Sequence, residues 1–269
     1  MALGNKSGTL HLHVSPVLPP NEAVHWTAAT AELAVPMHSA NRVHQANNLL
    51  DALPRQDQRH LIDGLEQVAL TYGQILYEPG ERIECVYFPN DSVVSLLTFV
   101  DRHQALEVGL VGREGMVGIP LALDIRISPV RALVQGSGTA MRIKAAPFLK
   151  AFRQSHALQR ELHRYTYSLM AQITQTAACN RFHVIEARLA RWLLMTHDRV
   201  QSGAFRLTQD FLSQMLGVRR VGVTKAARTL QQDGLIRYSR GTITILDREG
   251  LEAASCSCYE IIRDMHEAV

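Results

Sequence analysis

The chain has 269 residues, of which 46% are hydrophobic and 20% are charged, and its formal net charge is +3. This length is sufficient for two modest domains with separate cores. No apolar run approaches the ~20 residues of a membrane-spanning helix, and the four cysteines are too scattered for a disulfide framework. The composition therefore excludes a membrane protein and a disulfide-rich secreted domain, and it favours a soluble protein of the reducing cytoplasm.

Residues 1–44 predict a loose N-terminal tail, because prolines interrupt them and they show little periodicity. The tail lacks the basic and apolar segments of a secretion signal. His11 and His13 could bind a metal ion, but no cluster of further ligands lies near them in the sequence. A solvated tail is the favoured interpretation.

Residues 45–152 predict a domain of short antiparallel strands that follows a helical start. Leucines recur at helical spacing between residues 49 and 65, with an interruption at Pro54. From Tyr72 onwards, runs of β-forming residues alternate with turn sequences such as Pro79-Gly80. The predicted strands are 74–77, 85–88, 92–99, 105–111, 130–134 and 139–143. Many short strands with frequent turns indicate an antiparallel roll or barrel.

Residues 153–180 predict a long helix between this roll and the C-terminal part of the chain. Leu158, Leu162, Tyr165 and Leu169 keep a 4-3-4 spacing, which is typical of a contact between two helices of a dimer. These four residues are therefore the candidates for a dimer seam. The alternative is a helix whose apolar stripe packs on its own roll.

Residues 181–250 predict a winged helix-turn-helix. Thr208 has the side chain of an N-cap, Gly217 supplies the turn, and residues 235–245 have the pattern of strand, turn and strand. The second helix has an apolar stripe of Val223, Ala226, Ala227 and Leu230. Residues 251–269 are predicted to be a C-terminal tail. The whole chain is therefore α+β, with an antiparallel roll, a dimerisation helix and a winged helix.

The opposite face of the second helix is basic. The wing, which is the predicted strand, turn and strand of residues 235–245, is basic too. Between Arg199 and Arg248 there are nine Lys or Arg residues and three Asp residues, a local net charge of +6, whereas the whole chain carries +3. Such a concentration of positive charge is typical of a surface that binds nucleic acid. The candidate contacts to bases and phosphates are Arg219, Arg220, Thr224, Lys225, Arg228, Arg237 and Arg240. The alternatives are a solvated helix pair and a basic surface that binds an acidic protein.

The run LTQDFLSQMLGVRRVGVTKAARTLQQDGLI and the wing after it resemble the DNA-binding domain of the Crp/Fnr family of bacterial transcription regulators. Pro-Gly-Glu at residues 79–81 and VYFPNDSVVS at residues 86–95 are similar to that family's sensor roll. The resemblance covers about residues 45–250. It implies a cytoplasmic, non-enzymatic homodimer that binds a palindromic operator and contacts RNA polymerase. Arg219 and Val221 depart from the Ser or Thr and the Glu of many members, which leaves the operator sequence open.

The resemblance does not extend to the residues that bind cyclic nucleotides. Members that bind them carry Gly-Glu-Leu and Arg-Ser/Thr-Ala segments, whereas this chain has Gly118-Ile119-Pro120 and Ile127-Ser128-Pro129. Ile119 cannot accept a hydrogen bond from a ribose hydroxyl, and Pro129 lacks a backbone donor. A surface role is favoured for Arg131 over that of a displaced phosphate ligand. We therefore expect no nucleotide and no other cofactor.

The cysteines predict no metal site. Cys85 has the position of a half-buried strand residue and Cys179 that of a helix residue. Cys256 and Cys258 form a close pair, but two thiols cannot complete a four-ligand zinc or iron–sulfur site. An incidental pair is favoured over a redox-responsive one. A metal-dependent cupin enzyme is a further alternative, and it is disfavoured because His103 is the sole histidine between Leu61 and Ser155.

Overall fold

The structure is a computed structural model that describes residues 47–62, 64–100, 104–200 and 204–267. The predicted N-terminal tail and His103 lie outside the described residues. The fold is α+β, as predicted, with an antiparallel roll, a long central helix and a C-terminal winged helix.

The roll begins with helices α1 (Asn48–Asp51) and α2 (Arg55–Ile62). Its strands are β1 (Glu66–Leu70), β2 (Ile75–Tyr77), β3 (Cys85–Pro89), β4 (Val93–Phe99), β5 (Ala105–Val111), β6 (Arg131–Gly136) and β7 (Gly138–Lys144), and a 3-10 helix (Ile119–Leu123) precedes β6. Strands β2 to β7 agree with the predicted strands within two residues at each end. Strand β1 was not predicted. The leucines at helical spacing extend to Leu65, directly before β1, so the helical pattern conceals the start of this strand.

Helix α3 (Ala145–Gln154) and the long helix α4 (His156–Phe182) follow the roll. The winged helix consists of α5 (Ile185–Arg199), β8 (Ala204–Arg206), α6 (Gln209–Leu216), α7 (Arg220–Gln232), β9 (Ile236–Ser239) and β10 (Thr242–Ile245). Strand β8 pairs with β10, so the predicted two-stranded wing is part of a three-stranded sheet in the order β8-β10-β9.

Two antiparallel sheets form the roll, in the strand orders β1-β7-β3 and β2-β6-β4-β5. Strand β4 is buried on both faces. Val94 and Leu96 point into the core between the two sheets, whereas Val93 and Leu97 belong to a second core that includes Trp192 of α5 and the apolar residues of α6 and α7. Because alternate residues of a strand point to opposite faces, the apolar run of β4 binds the roll to the winged helix.

The predicted dimer seam on α4 faces the roll of the same chain, which corrects the prediction. Leu158, Leu162, Tyr165 and Leu169 are between 0% and 6% exposed within the single chain, and all four belong to the core of the roll. The alternative, a helix packed on its own roll, describes these residues. An opposite stripe of α4 is exposed, and it consists of His163, Tyr167, Met170, Thr174, Ala177 and Arg181. We call this set the outer stripe.

The C-terminal residues predicted as a tail are helical, which corrects a second prediction. Helix α8 (Arg248–Ala254) packs on α5, and helix α9 (Cys258–Glu267) packs on α4. Tyr259 and Ile262 are buried there, so this segment is part of the folded structure. In the part of the chain that the structure describes, no helix combines the length and the apolar character that crossing a bilayer requires.

Candidate nucleic-acid interface

Helices α6 and α7 and the turn between them form the helix-turn-helix that the sequence predicts. The Thr208 hydroxyl accepts a hydrogen bond from the Phe211 backbone amide at 3.1 Å, so Thr208 is the N-cap of α6. Helix α6 ends at Gly217, whose φ of 60° lies in the left-handed region that glycine adopts at little cost. This turn brings α7 across α6 with its apolar stripe buried.

The start of α7 departs from an ideal helix in two ways that the structure explains. Arg219 is the N-cap residue and makes no side-chain capping bond, as its chemistry predicts. Gly222 lies near the first residue of α5, and a Cβ atom at this position would be 2.9 Å from Ile185 Cδ1. A glycine in a helix costs about 1 kcal/mol relative to alanine, and here it allows the two helices to approach closely.

The outward face of α7 carries the residues predicted to contact DNA. The seven candidate residues on α7 and the wing are all exposed, and so is Val221. Gln209 Oε1 accepts hydrogen bonds from Thr224 Oγ1 at 2.8 Å and from Arg220 Nε at 3.4 Å. Arg220 also lies 3.5 Å from Asp210. These exposed contacts contribute less than about 1 kcal/mol, so they orient Arg220 and can be exchanged for contacts to a polyanion.

The wing carries two further exposed cationic residues. Arg240 and Gly241 have φ values of 48° and 76°, the positive values that a two-residue type I′ hairpin turn requires. Arg237 and Arg240 are exposed. Tyr238 donates a hydrogen bond from its hydroxyl to the Leu207 carbonyl at 2.9 Å, which ties the wing to the start of the helix-turn-helix.

Two of the nine basic residues counted in the sequence have structural roles instead. Arg199 forms a 2.7 Å ion pair with Glu114 of the roll, and its side chain is buried. Arg248 forms ion pairs with Asp198 and Glu252 at 2.8 and 2.9 Å. These two arginines hold α5 against the roll and α8 against α5, so they do not contribute to the exposed basic surface.

Residues 187–254 match the sequence model of the Crp-like helix-turn-helix domain. The chain carries a Crp-like helix-turn-helix domain. No protein with curated annotation gives a significant match. Solved structures extend the likeness from this domain to the fold of the chain.

A protein described as a Crp/Fnr-family transcriptional regulator, from Eubacterium rectale, is 17% identical with a TM-score of 0.62, over 78% of this chain and 98% of its own. FixK2 from Bradyrhizobium japonicum is 15% identical with a TM-score of 0.61, over 71% and 98%. CLP from Xanthomonas campestris, described as a c-di-GMP-responsive regulator, is 16% identical with a TM-score of 0.59, over 71% and 99%. The domain is a Crp-like helix-turn-helix, and the fold of the chain is similar to the fold of these solved structures.

The Crp-like domain is joined to the roll by buried polar contacts. Trp192 Nε1 donates a hydrogen bond to Glu107 Oε1 at 2.8 Å, and Gln135 Nε2 donates one to Thr196 Oγ1 at 3.0 Å. Burial raises the pKa of Glu107 to about 7, because the hydrogen bond from Trp192 and the positive charge of Arg191 offset the loss of solvation only in part. An acidic group that titrates near neutral pH therefore lies between the roll and α5.

In the roll, the residues compared with a nucleotide site have other contacts. Gly118 has a φ of 106° and precedes the 3-10 helix. Arg131 forms a 2.8 Å ion pair with Glu78, and its guanidinium lies 4.7 Å from the centre of the Phe99 ring. Arg131 is thus held at the sheet surface by a carboxylate and an aromatic ring.

Four potential metal ligands lie together where α4 ends and α9 begins. The sequence did not predict them as a set. Cys179 and His183 at the end of α4 lie beside Cys256 and Cys258, which flank the start of α9. The i, i+4 spacing of Cys179 and His183 is a local signal, because residues four apart share one face of a helix. The approach of the second pair depends on the packing of a segment that was predicted to be a tail.

Proposed function

We propose that this chain is a sequence-specific, DNA-binding transcription regulator that acts as a homodimer on a palindromic operator. The observation that carries the proposal is the division of α7 into two faces. Its apolar stripe is buried, while Arg220, Thr224, Lys225 and Arg228 are exposed beside the cationic wing. A helix presented in this way fits the major groove of DNA, and a cationic wing fits the adjacent phosphates. Cytoplasmic location and contact with RNA polymerase belong to the same proposal.

The outer stripe of α4 supports a homodimer. Its members are spaced alternately by four and three residues over 19 positions, which is the repeat of two helices that pack along a common seam. Tyr167 and Met170 in this stripe are more than 60% exposed, and Ile173 lies next to them. Pairing α4 with its copy about a twofold axis would bury these side chains. It would also present the two copies of α7, one from each chain, to successive half-sites of the operator.

We further propose that the regulator binds DNA without cyclic AMP or cyclic GMP. Ile119 and Pro129 replace the polar groups that a ribose and a cyclic phosphate need, and Glu78 already pairs with Arg131. Titration calorimetry of the full chain with cyclic AMP, cyclic GMP and cyclic di-GMP at micromolar concentrations is expected to show no heat of binding for the first two. A saturable low-micromolar site for either would contradict this proposal. Cyclic di-GMP is tested as well, because CLP is described as a c-di-GMP-responsive regulator.

Arg220 is expected to read a base. It lies in the first turn of α7, and its guanidinium matches the O6 and N7 acceptors of guanine. Arg220→Ala is therefore expected to weaken operator binding by about 1–3 kcal/mol and to relax the preference at one base pair in each half-site. The measurement is a titration of the wild type and the variant against an operator selected from random sequence and its single-base variants.

Arg240→Gly is the matched control. The φ of 48° at this position suits glycine, so the substitution removes a cation from the wing without straining the turn. It is expected to weaken binding to all DNA sequences alike. The slope of the logarithm of the binding constant against the logarithm of the salt concentration should become shallower by about one unit. If Arg220→Ala also weakens all operator variants equally, Arg220 is a phosphate contact. A wild type without salt-dependent DNA binding would instead favour an acidic protein as the partner of the basic face.

A further inference from the structure

The cysteine and histidine side chains at the end of α4 and the start of α9 form a compact set of donors. Cys179 Sγ lies 3.5 Å from Cys256 Sγ, and Cys258 Sγ lies 3.4 Å from His183 Nδ1. The four donor atoms are all within 4.8 Å of one another. The cysteines are buried and form a cluster separate from the two large cores. Apolar packing with Ala187 can account for the three buried cysteines, but it does not account for the half-buried His183 that joins them.

The separations match the coordination shell of one zinc ion. With Zn–S distances of about 2.3 Å and Zn–N distances of about 2.0 Å, the edges of a tetrahedron are about 3.5–3.8 Å. The two short separations in the cluster agree with such edges. The sulfur atoms of Cys179 and Cys256 are too far apart for a disulfide bond, which is about 2.05 Å long. A polynuclear cluster would hold its ligands further apart than four donors that surround a single ion.

The charged groups around the cluster also suit a bound metal thiolate. Arg188 and Arg191 are buried on α5, and neither is in an ion pair among the described residues. Arg191 acts electrostatically on the Glu107 carboxyl group. Both arginines interact electrostatically with the thiols of Cys179 and Cys256. Zinc bound by three thiolates and a neutral histidine carries a net charge of −1, so the arginines would balance a buried negative charge. Thiolates would compensate the buried charge of Arg188 and would add to the effect of Glu107 on Arg191.

The neighbouring side chains complete the environment of such a site. Gln175 Nε2 donates a hydrogen bond to Cys258 Sγ at 3.0 Å, and groups that donate to a ligand sulfur orient it and favour its thiolate form. Cys179 Sγ and Cys256 Sγ lie within hydrogen-bond distance of each other.

We propose that Cys179, His183, Cys256 and Cys258 bind one zinc ion in a tetrahedral structural site. Zinc replaces the protons of the three thiols, which are released to solvent, and it is held by three Sγ atoms and His183 Nδ1. The ion takes no part in electron transfer. This inference stands apart from the proposed DNA binding, since none of the four ligands lies on the outward face of α7.

The site would fasten the C-terminal segment to the junction of the two domains. Cys179 is in the last turn of α4, His183 follows that helix, and Cys256 and Cys258 lie where α8 leads into α9. Metal binding would thus link the connection between α4 and α5 to α9. Removal of the ion is expected to raise the rate of amide hydrogen exchange in α9 and the last turn of α4, while exchange in the roll remains unchanged.

The test begins with the full-length wild type. Protein purified without chelator is expected to contain one zinc ion per chain by elemental analysis. X-ray absorption at the zinc edge should show three sulfur ligands at about 2.3 Å and one nitrogen at about 2.0 Å. This measurement needs no variant, so it remains informative even if a substituted chain fails to fold.

Variants then assign the ligands. Cys258→Ser and Cys179→Ser are each expected to lower zinc affinity more than 100-fold in competition with a chromophoric chelator, since even outer-shell partners account for about 10- to 100-fold. Cys85→Ser is the matched control, because Cys85 lies half-buried on β3, and it should retain zinc. Failure of the wild type to bind zinc, iron with labile sulfide in its place, a Cys179–Cys256 disulfide, or equal loss of zinc in Cys85→Ser would each overturn the proposal.

Discussion

Leu162→Ala is expected to destabilise the folded chain by about 2–5 kcal/mol, the usual cost of a large cavity in a packed core. Leu162 is 0% exposed, and it lies among the apolar residues of the roll. Folded domains are stable by only about 5–15 kcal/mol, so the change is a large fraction of the total. Urea unfolding followed by circular dichroism measures it. The remaining folded protein is expected to keep its oligomeric state.

Met170→Glu is the counterpart on the opposite face of α4. Its side chain is 62% exposed in the single chain, so the substitution should change the free energy of unfolding of the monomer by less than about 0.5 kcal/mol. In a twofold seam it places two like charges together. We expect a folded monomer by light scattering, with operator affinity lowered about 100-fold or more because simultaneous binding to two half-sites is lost.

The pair of variants distinguishes the two stripes of α4. A dimer that persists in Met170→Glu, together with a folded monomer in Leu162→Ala, would contradict a seam on the outer stripe. It would place the dimer seam on the stripe of Leu162 and Leu169 instead. Tyr167→Glu gives an independent measurement on the outer stripe, since its side chain is 63% exposed.

Stability is expected to fall as the pH rises from about 4.5 to 7, to the extent that Glu107 controls it. Burial raises the pKa of this carboxyl group to about 7, from an ordinary value of 4.5, so the folded chain binds more protons than the unfolded chain within that interval. The contribution is fully present below pH 4.5 and is lost as the pH rises through 7. A difference of this size corresponds to about 3 kcal/mol.

Glu107→Gln removes the titration and retains an oxygen that can accept the hydrogen bond from Trp192 Nε1. The free energy of unfolding of wild type and variant should be compared at pH 5 and pH 8. We expect the variant to gain about 2.5 kcal/mol relative to the wild type between the two pH values. His266, whose pKa is lowered mainly by burial, titrates in both proteins, and its effect cancels in the comparison. An equal difference at both pH values would show that Glu107 does not titrate in this range.

Local patterns were sufficient to predict the parts of the chain whose structure depends on near neighbours. The spacing of Val223, Ala226, Ala227 and Leu230 predicts the buried stripe of α7, and the structure confirms that these residues are buried. The strands of the roll followed from alternation and turn residues. The exposed basic residues followed in turn, because the face opposite a buried stripe must be exposed to solvent. DNA contacts by those residues remain a prediction.

The direction in which α4 faces could not be obtained in the same way. The helix carries two stripes at heptad spacing, one through Leu162 and Leu169 and the other through Tyr167 and Met170. Spacing alone identifies both as packing surfaces. The roll decides between them, because β5 packs on α4, where Gln172 accepts a hydrogen bond from the Leu110 amide at 2.6 Å.

Long-range packing also decided the two features at the C-terminus. Helix α9 is short and has little helical propensity to sustain it without a partner surface, so its sequence resembles a tail until α4 is placed beside it. Cys179 and Cys256 are 77 residues apart in the chain, and Cys258 is further still from Cys179. Local periodicity is set by the backbone geometry of neighbouring residues. The pair Cys179 and His183 and the pair Cys256 and Cys258 are distant in the chain, so they meet only when α4, α5 and α9 pack together.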